Sequence, residues 1–250
     1  MHEALELATS ATTLWMLFVI CFALFVRGAF GFGDGLIAVP ILSLMIPVKE
    51  AVPLILLLSI VTSVGGLWRE RKHVHVGSLK RAGSIALVIF PLGILLLTRL
   101  DETLVRTLLG AVLIVLALWS LSAIKPAPLR ANVWSYIFGA LAGVLGGAYA
   151  LRGIVFAVYG SLRGWEPVQL RATLHSFYLL SGVLVPLGYG VTGLLTPTVI
   201  VYLALFTLPA LVAGWMGQRL SENLDAETFR RLLWYLVALF GIWLLCSNIL

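Results

Sequence analysis

Apolar segments as long as a membrane span recur from one end of the chain to the other. A helix that crosses the hydrocarbon core needs about 20 apolar residues. The sequence predicts ten segments, at 12–33, 35–47, 51–67, 82–98, 103–123, 133–150, 153–162, 172–194, 199–218 and 232–249. Charged residues make up only 11% of the 250 residues, whereas a water-facing surface needs roughly a quarter. The chain is therefore predicted to be an all-α polytopic membrane protein.

Other classes of protein fit the sequence poorly. The net charge of +6 does not indicate nucleic-acid binding, because the basic residues lie mainly between apolar segments, where they set orientation. Cys21 and Cys246 lie inside apolar segments and are predicted to pack as small hydrophobic residues. Enzyme motifs such as Gly-x-Ser-x-Gly, His-Glu-x-x-His and the Walker loop do not occur, so neither an enzyme nor a cofactor is predicted.

Landmarks of the first half of the chain recur in the second half, in the same order and shifted by 115 to 124 residues. The pairs are Gly28 and Gly143, Gly31 and Gly146, Pro47 and Pro167, Pro91 and Pro209, and the segments 100–106 and 224–230. This order predicts an internal duplication, with a first transmembrane repeat at 1–124 and a second at 125–250. The alternative is that any two leucine-rich helices look alike.

Each predicted repeat has five segments, and in each repeat the second segment is too short to cross a bilayer. Both short segments follow a glycine-rich stretch, a pattern typical of broken helices or re-entrant hairpins at transporter binding sites. The loop at 68–81 carries five Lys and Arg residues and is predicted to be cytoplasmic. Cytoplasmic loops then hold twelve basic residues and outer loops three, as the positive-inside rule requires. Both termini are predicted to lie on the outer side of the inner membrane. The two repeats are predicted to have inverted topology.

Three charged residues are predicted to lie within the membrane, namely Arg27, Asp34 and Arg152. A charge at the centre of a bilayer costs about 2.5–3.5 kcal/mol on insertion scales, so these residues are candidates for a site near the midplane. Two arginines and one aspartate leave a local charge of +1, and guanidinium groups suit an oxyanion. The alternative is an Arg27–Asp34 ion pair that fixes the first hairpin, with Arg152 extending to a membrane surface.

Glycine and histidine residues extend this candidate site. Gly31, Gly33 and Gly35 allow tight turns and close approach of a ligand to backbone amides, although glycines also serve helix packing. His175 lies one helical turn beyond Arg171 and on the same face. It is predicted either to contact the substrate or act as a protonatable gate, or to be a histidine hydrogen-bonded to a neighbouring helix.

Three stretches resemble the sulfite exporter TauE/SafE family, also called toluene sulfonate uptake permeases. They are GAFGFGDGLIAVP at 28–40, GALAGVLGGAY at 139–149 and LRATL at 170–174. The resemblance covers nearly the whole chain and implies a duplicated membrane transporter of sulfite or organosulfur anions, with Tyr149 at the end of the second glycine-rich stretch among the site residues. The chain departs from the family pattern at Asp34 and at Arg152, where glycine and an Asn-Gly-Pro-Pro motif are common.

The predicted function is secondary transport of a small anion, such as sulfite, an organosulfonate or a related sulfur oxyanion, across the lipid bilayer. A proton or a sodium ion is the candidate coupling ion, and a homo-oligomer is a candidate assembly. Two alternatives remain open at this point. One is a passive anion channel, and the other is a membrane anchor that holds a cytoplasmic partner through the loop at 68–81.

Overall fold

The computed structural model describes residues 11–121 and 129–220, together with six separate positions between 235 and 246. These residues are mainly helical and contain no strand. The helices are α1 (Ala11–Phe30), α2 (Asp34–Leu42), α3 (Val48–Glu70), α4 (Val76–Arg99), α5 (Glu102–Leu121), α6 (Val133–Tyr149), α7 (Arg152–Leu162), α8 (Pro167–Leu180), α9 (Leu184–Val191) and α10 (Pro197–Leu220), with a 3-10 turn at Arg71–His73. The all-α prediction is thereby confirmed.

Several of these helices are long and apolar enough to cross a membrane. Within the described residues four qualify, namely Ala11–Phe30, Val48–His73, Val76–Arg99 and Pro197–Leu220, with mean hydropathies of 1.9–2.1. Helices α8 and α9 make a fifth span if they are counted together. Large apolar side chains such as Trp15, Val88 and Leu208 are exposed on the outer faces of these helices, as lipid-facing residues are.

The eighth predicted segment, 172–194, is not one continuous helix. The chain turns at residues 181–183, and α8 and α9 meet at an angle of 41°. Ser181 explains the break, because its hydroxyl donates to the carbonyl of Tyr178 at 2.8 Å, and Gly182 follows it. The last predicted segment, 232–249, lies outside the described residues except at single positions.

A helix ends at each glycine-rich stretch, and a short helix follows it. Between α1 and α2, Gly31 has φ 83° and Gly33 has φ 112°, conformations that glycine adopts without steric cost. Between α6 and α7 the left-handed residue is Ala150, with φ 59°. The amide of Ala150 donates to the carbonyl of Gly146 at 3.1 Å, which holds the backbone of this second break.

The most extensive helix contacts join α4 to α6 and α1 to α10, and α3 packs against α8. Glycines allow these backbones to touch. A Cβ at Gly28 would overlap the carbonyl oxygen of Gly214 in α10, and a Cβ at Gly143 would lie 2.7 Å from the carbonyl oxygen of Ala86 in α4. This close approach is typical of membrane helices, whose association depends on van der Waals packing.

Candidate functional site

Arg27 lies near the end of α1 and is 2% exposed. Its Nε atom is 3.4 Å from Oδ2 of Asp34, the first residue of α2. Its Nη atoms donate to three groups on α3, namely the carbonyl oxygen of Ser59 at 2.9 Å, Thr62 Oγ1 at 2.5 Å and the hydroxyl of Ser63. The Ser59 hydroxyl in turn donates to Asp34. The ion pair therefore closes the first break and joins it to α3.

Arg152 is the first residue of α7 and is 0% exposed. Its Cβ packs against Gly146, at the end of α6. None of its three guanidinium nitrogens has a hydrogen-bond partner among the described residues. The predicted alternative in which Arg152 extends to a membrane surface is wrong, because the side chain is enclosed by protein.

Tyr178 of α8 contacts both arginines. The Cζ atom of Arg27 lies 4.3 Å from the centre of the Tyr178 ring, and the Cζ atom of Arg152 lies 4.8 Å from it. The hydroxyl donates to the carbonyl oxygen of Gly31 at 3.2 Å and lies close to Gly153. The sequence prediction did not include Tyr178, although it lies one helical turn beyond His175.

The two helix breaks also meet through their backbones. A Cβ at Gly35 would lie 2.9 Å from the carbonyl carbon of Ala150, so α2 begins directly against the break between α6 and α7. Gly33 precedes α2 as its N-cap residue. Tyr149, the last residue of α6, is buried next to Ala150. The structure thus brings the predicted residues of the two glycine-rich stretches together.

Arg171 and His175 lie on α8 beside this centre, and each has a different environment. Arg171 donates from Nη2 and Nε to Oε1 of Glu70, at 2.7 and 3.0 Å, and its side chain packs against Gly31. The ring of His175 is buried against Gly66, and neither ring nitrogen has a partner within the described part of the chain. Glu70 is a further residue that the sequence prediction did not include.

A cavity of about 1040 Å³ lies between the C-terminal halves of α3 and α10 and reaches Arg27 and His175. Its walls carry two more arginines, Arg69 and Arg219, and the guanidinium of Arg219 lies 4.3 Å from the ring centre of Trp215. The lining residues are Arg27, Gly28, Thr62, Gly65, Gly66, Arg69, His175, Leu211, Val212, Gly214, Trp215, Gln218 and Arg219. None of the described residues that line the cavity is acidic, so its arginines favour anions.

The match to a family model covers residues 16–244, nearly the whole chain, and the family is described as sulfite exporter TauE/SafE. The chain belongs to the sulfite exporter TauE/SafE family. Members of this family are membrane transporters of sulfur-containing anions and not enzymes, so the apolar helices are those of a multi-pass membrane transporter. Neither a curated protein nor a solved structure matches the chain.

The chemistry of the centre in this TauE/SafE family member suits an anion better than a cation. The described residues contain no group of three His, Cys, Asp or Glu side chains that could hold a metal ion. The single carboxylate at the centre, Asp34, already accepts from Ser59 and pairs with Arg27. The guanidinium of Arg152 is the one described group at the centre that has all its donors unpaired.

Proposed function

We propose that the chain is a secondary transporter of a small sulfur-containing oxyanion, such as sulfite or an organosulfonate, which binds at Arg152 between the two halves of the protein. The observation that carries the proposal is the buried Arg152 guanidinium, whose three nitrogens have no hydrogen-bond partner among the described residues. A buried charge without a partner is costly. An oxyanion that accepts from two guanidinium nitrogens removes this cost and forms strong charge-assisted hydrogen bonds.

Two helix N-termini support the same assignment. Helices α2 and α7 begin at Asp34 and Arg152, and the contact of Gly35 with Ala150 places the two breaks side by side. The first amides of a helix have no partner within the helix and carry partial positive charge. An anion bound at Arg152 is therefore stabilised by the N-terminus of α7 as well as by the guanidinium.

The pattern of helix contacts supports the duplication, and with it an inverted pair of repeats. Under the duplication α1 corresponds to α6, and α4 corresponds to α10. The contact of α4 with α6 is then equivalent to the contact of α10 with α1, and these are the two most extensive contacts. Gly35 and Ala150, which touch, are related by the 115-residue shift that relates Gly28 to Gly143. Such reciprocal contacts are expected of a pseudo-twofold axis that runs through the binding site.

The cavity supports a route to the site from one side of the membrane. It lies beside the C-terminal ends of α3 and α10, next to the basic loop at 68–81 that is predicted to be cytoplasmic. Arg27 lies in its wall, whereas Arg152 is outside its lining. Tyr178 contacts both arginines, and a movement of its ring would open a path for an anion from the cavity to Arg152. We assign Tyr178 as the gate between the two.

Counterflow in proteoliposomes tests the transport proposal. Vesicles preloaded with unlabelled methanesulfonate or sulfite should accumulate the labelled anion transiently, and the initial rate should saturate with concentration. The Arg152→Ala variant, reconstituted at equal protein density, is the control and should show strongly reduced counterflow at the same anion concentration. A flux that neither saturates nor responds to the anion on the opposite side would mean that the protein is a channel.

Cysteine labelling tests the predicted orientation. Arg71 and Asp101 are exposed at opposite ends of α4 and its flanking turns. In a background in which Cys21 and Cys246 are replaced by serine, Arg71→Cys should react with a membrane-impermeant thiol reagent only from the cytoplasmic side. Asp101→Cys should react only from the outer side. Labelling of both positions from one side would exclude the predicted topology.

A further inference from the structure

We propose that Asp34 fixes the charge of the binding centre at +1 and thereby restricts it to anions that carry a single negative charge. This inference rests on the proposed function and names the substrate class within it: sulfonates and hydrogen sulfite are accepted, and doubly charged oxyanions are rejected. It follows from a charge count at the centre, from burial, and from the energetic cost of a net charge inside a membrane.

The charge count involves three side chains that form one contact network. Arg27 and Arg152 contribute two positive charges, and both lie over the ring of Tyr178. Asp34 contributes one negative charge, because it pairs with Arg27 and accepts a hydrogen bond from Ser59. All three side chains are at most 5% exposed. The sum is +1.

The other ionisable groups near the centre do not change this sum. Arg69 and Arg219 line the cavity but are exposed, so they lie outside the enclosed centre. Arg171 is paired with Glu70, so the two charges cancel. Tyr178 and Tyr189 are phenols whose hydroxyls donate to backbone carbonyls of Gly31 and Gly147, and a phenol is uncharged at neutral pH. His175 is uncharged at mildly alkaline pH, which is the condition chosen for the test.

The charge of the occupied site decides which anion is retained. An anion with one charge brings the enclosed centre to zero, whereas an anion with two charges leaves a net charge of −1 in surroundings that solvate charge poorly. The Asp34 carboxylate also repels the second negative charge of such an anion. This repulsion is weakly screened, because both charges lie inside the protein. A singly charged sulfur oxyanion is therefore the matching ligand.

Methanesulfonate and methylphosphonate are the probes, since both present a methyl group and a tetrahedral head with three oxygens. At alkaline pH the sulfonate carries one negative charge and the phosphonate carries two. Affinities are measured by isothermal titration and by the ligand-induced rise in unfolding temperature of the detergent-purified protein. The unaltered chain is expected to bind methanesulfonate at least about tenfold more tightly than methylphosphonate.

Three variants then test the charge sum. Asp34→Asn raises it to +2 and should move the affinity ratio at least about tenfold towards methylphosphonate. Arg27→Gln lowers it to zero and should weaken binding of both probes. The double variant Arg27→Gln with Asp34→Asn restores +1 and should restore the preference for methanesulfonate. Arg106→Gln, which removes an arginine paired with Glu102 at a distance from the centre, is the matched control and should leave the ratio unchanged.

The outcomes separate this inference from the proposed function. If neither methanesulfonate nor methylphosphonate binds to the unaltered chain, the anion site itself is wrong. If the probes bind equally well, or if Asp34→Asn binds them in the same ratio as the unaltered chain, the anion site stands and the charge rule is overturned. Should Asp34→Asn fail to fold, the double variant decides, because a preference for methylphosphonate at a sum of +1 contradicts the rule.

Discussion

Arg27 at the first helix break and Arg152 at the second differ in what surrounds their charge. Arg27 is held by Asp34 and by three groups on α3. Arg152 is equally buried and has no hydrogen-bond partner among the residues described. Both breaks join a long helix to a short one, but Arg27 lies before its break and Arg152 lies after its own, and only Arg27 has hydrogen-bond partners among the described residues.

This difference indicates that one buried arginine stabilises the fold and that the other binds the ligand. Removing one partner of a buried ion pair strongly destabilises a protein, because the other charge is left buried without compensation. A buried charge without partners destabilises the empty protein, and the ligand that pairs with it recovers that free energy on binding. Substitutions at the two breaks should therefore change different measurable quantities.

The largest effect is expected from Arg27→Ala. The substitution leaves Asp34 buried and unpaired, and it should lower the free energy of unfolding by about 3–5 kcal/mol. Denaturant unfolding of the detergent-purified protein measures this change in the free energy of unfolding. The Arg27→Ala and Asp34→Ala double variant is the control and should be less destabilised than the two single changes added together. Simple additivity would show that the pair does not hold the first break.

Arg152→Ala should act on binding and not on folding. We expect a loss of about 1.5–3 kcal/mol in binding free energy, roughly tenfold to a hundredfold in affinity for methanesulfonate or sulfite. Stability without ligand should be unchanged or higher, because an unpaired charge is removed. Arg152→Lys should also be impaired, since an ammonium group cannot offer a bidentate fork. Normal transport by well-folded Arg152→Ala would disprove the anion site.

Gly35→Ala tests the backbone contact between the two breaks. The added methyl group would overlap the carbonyl of Ala150, and overpacking of this kind costs about 1–3 kcal/mol of stability. Gly65→Ala is the matched control, because no atom lies within 4 Å of a Cβ at Gly65 in α3. The control should be neutral or stabilising by up to about 1 kcal/mol. Equal thermal stability of the two variants would argue against the contact.

Tyr178→Phe should have the smallest effect. The ring over the two guanidinium groups is kept, and only the hydrogen bond to the carbonyl of Gly31 is lost, which is worth about 0.5–1.5 kcal/mol. If Tyr178 is the gate, the loss should appear as a faster exchange rate in counterflow with little change in affinity. A large fall in affinity would place the hydroxyl in the anion site instead.

The sequence contains enough to predict the all-helical fold and the four or five apolar spans within the described residues, because apolar length and low charge are local properties of each segment. It also identifies Arg27, Asp34 and Arg152, since charges are rare within membrane helices. Partners that lie far apart in the sequence were missed. Tyr178 meets the carbonyl of Gly31 across 147 positions, and Arg171 meets Glu70 across 101. Such pairings depend on how helices pack, which spacing along one helix does not encode.

Helix α3 nevertheless contains a local sequence pattern that could have predicted its contact with Arg27. Ser59, Thr62 and Ser63 lie at helical spacing in an otherwise apolar segment, and all three contact Arg27. Their hydroxyls also bond to carbonyls one turn earlier in α3, which is how serine and threonine are tolerated inside membrane helices. A polar stripe of this kind indicates the helix face that meets a buried charge.

The arginine-lined cavity between α3 and α10 also has a kinetic consequence. A cleft whose walls carry charge of one sign concentrates oppositely charged solutes and speeds their arrival, and added salt screens that attraction. Arg69 and Arg219 line this cleft, whereas Arg152 is shut off from bulk solvent. A higher ionic strength should therefore slow binding of the anion from the cavity side far more than it slows dissociation of the anion from Arg152.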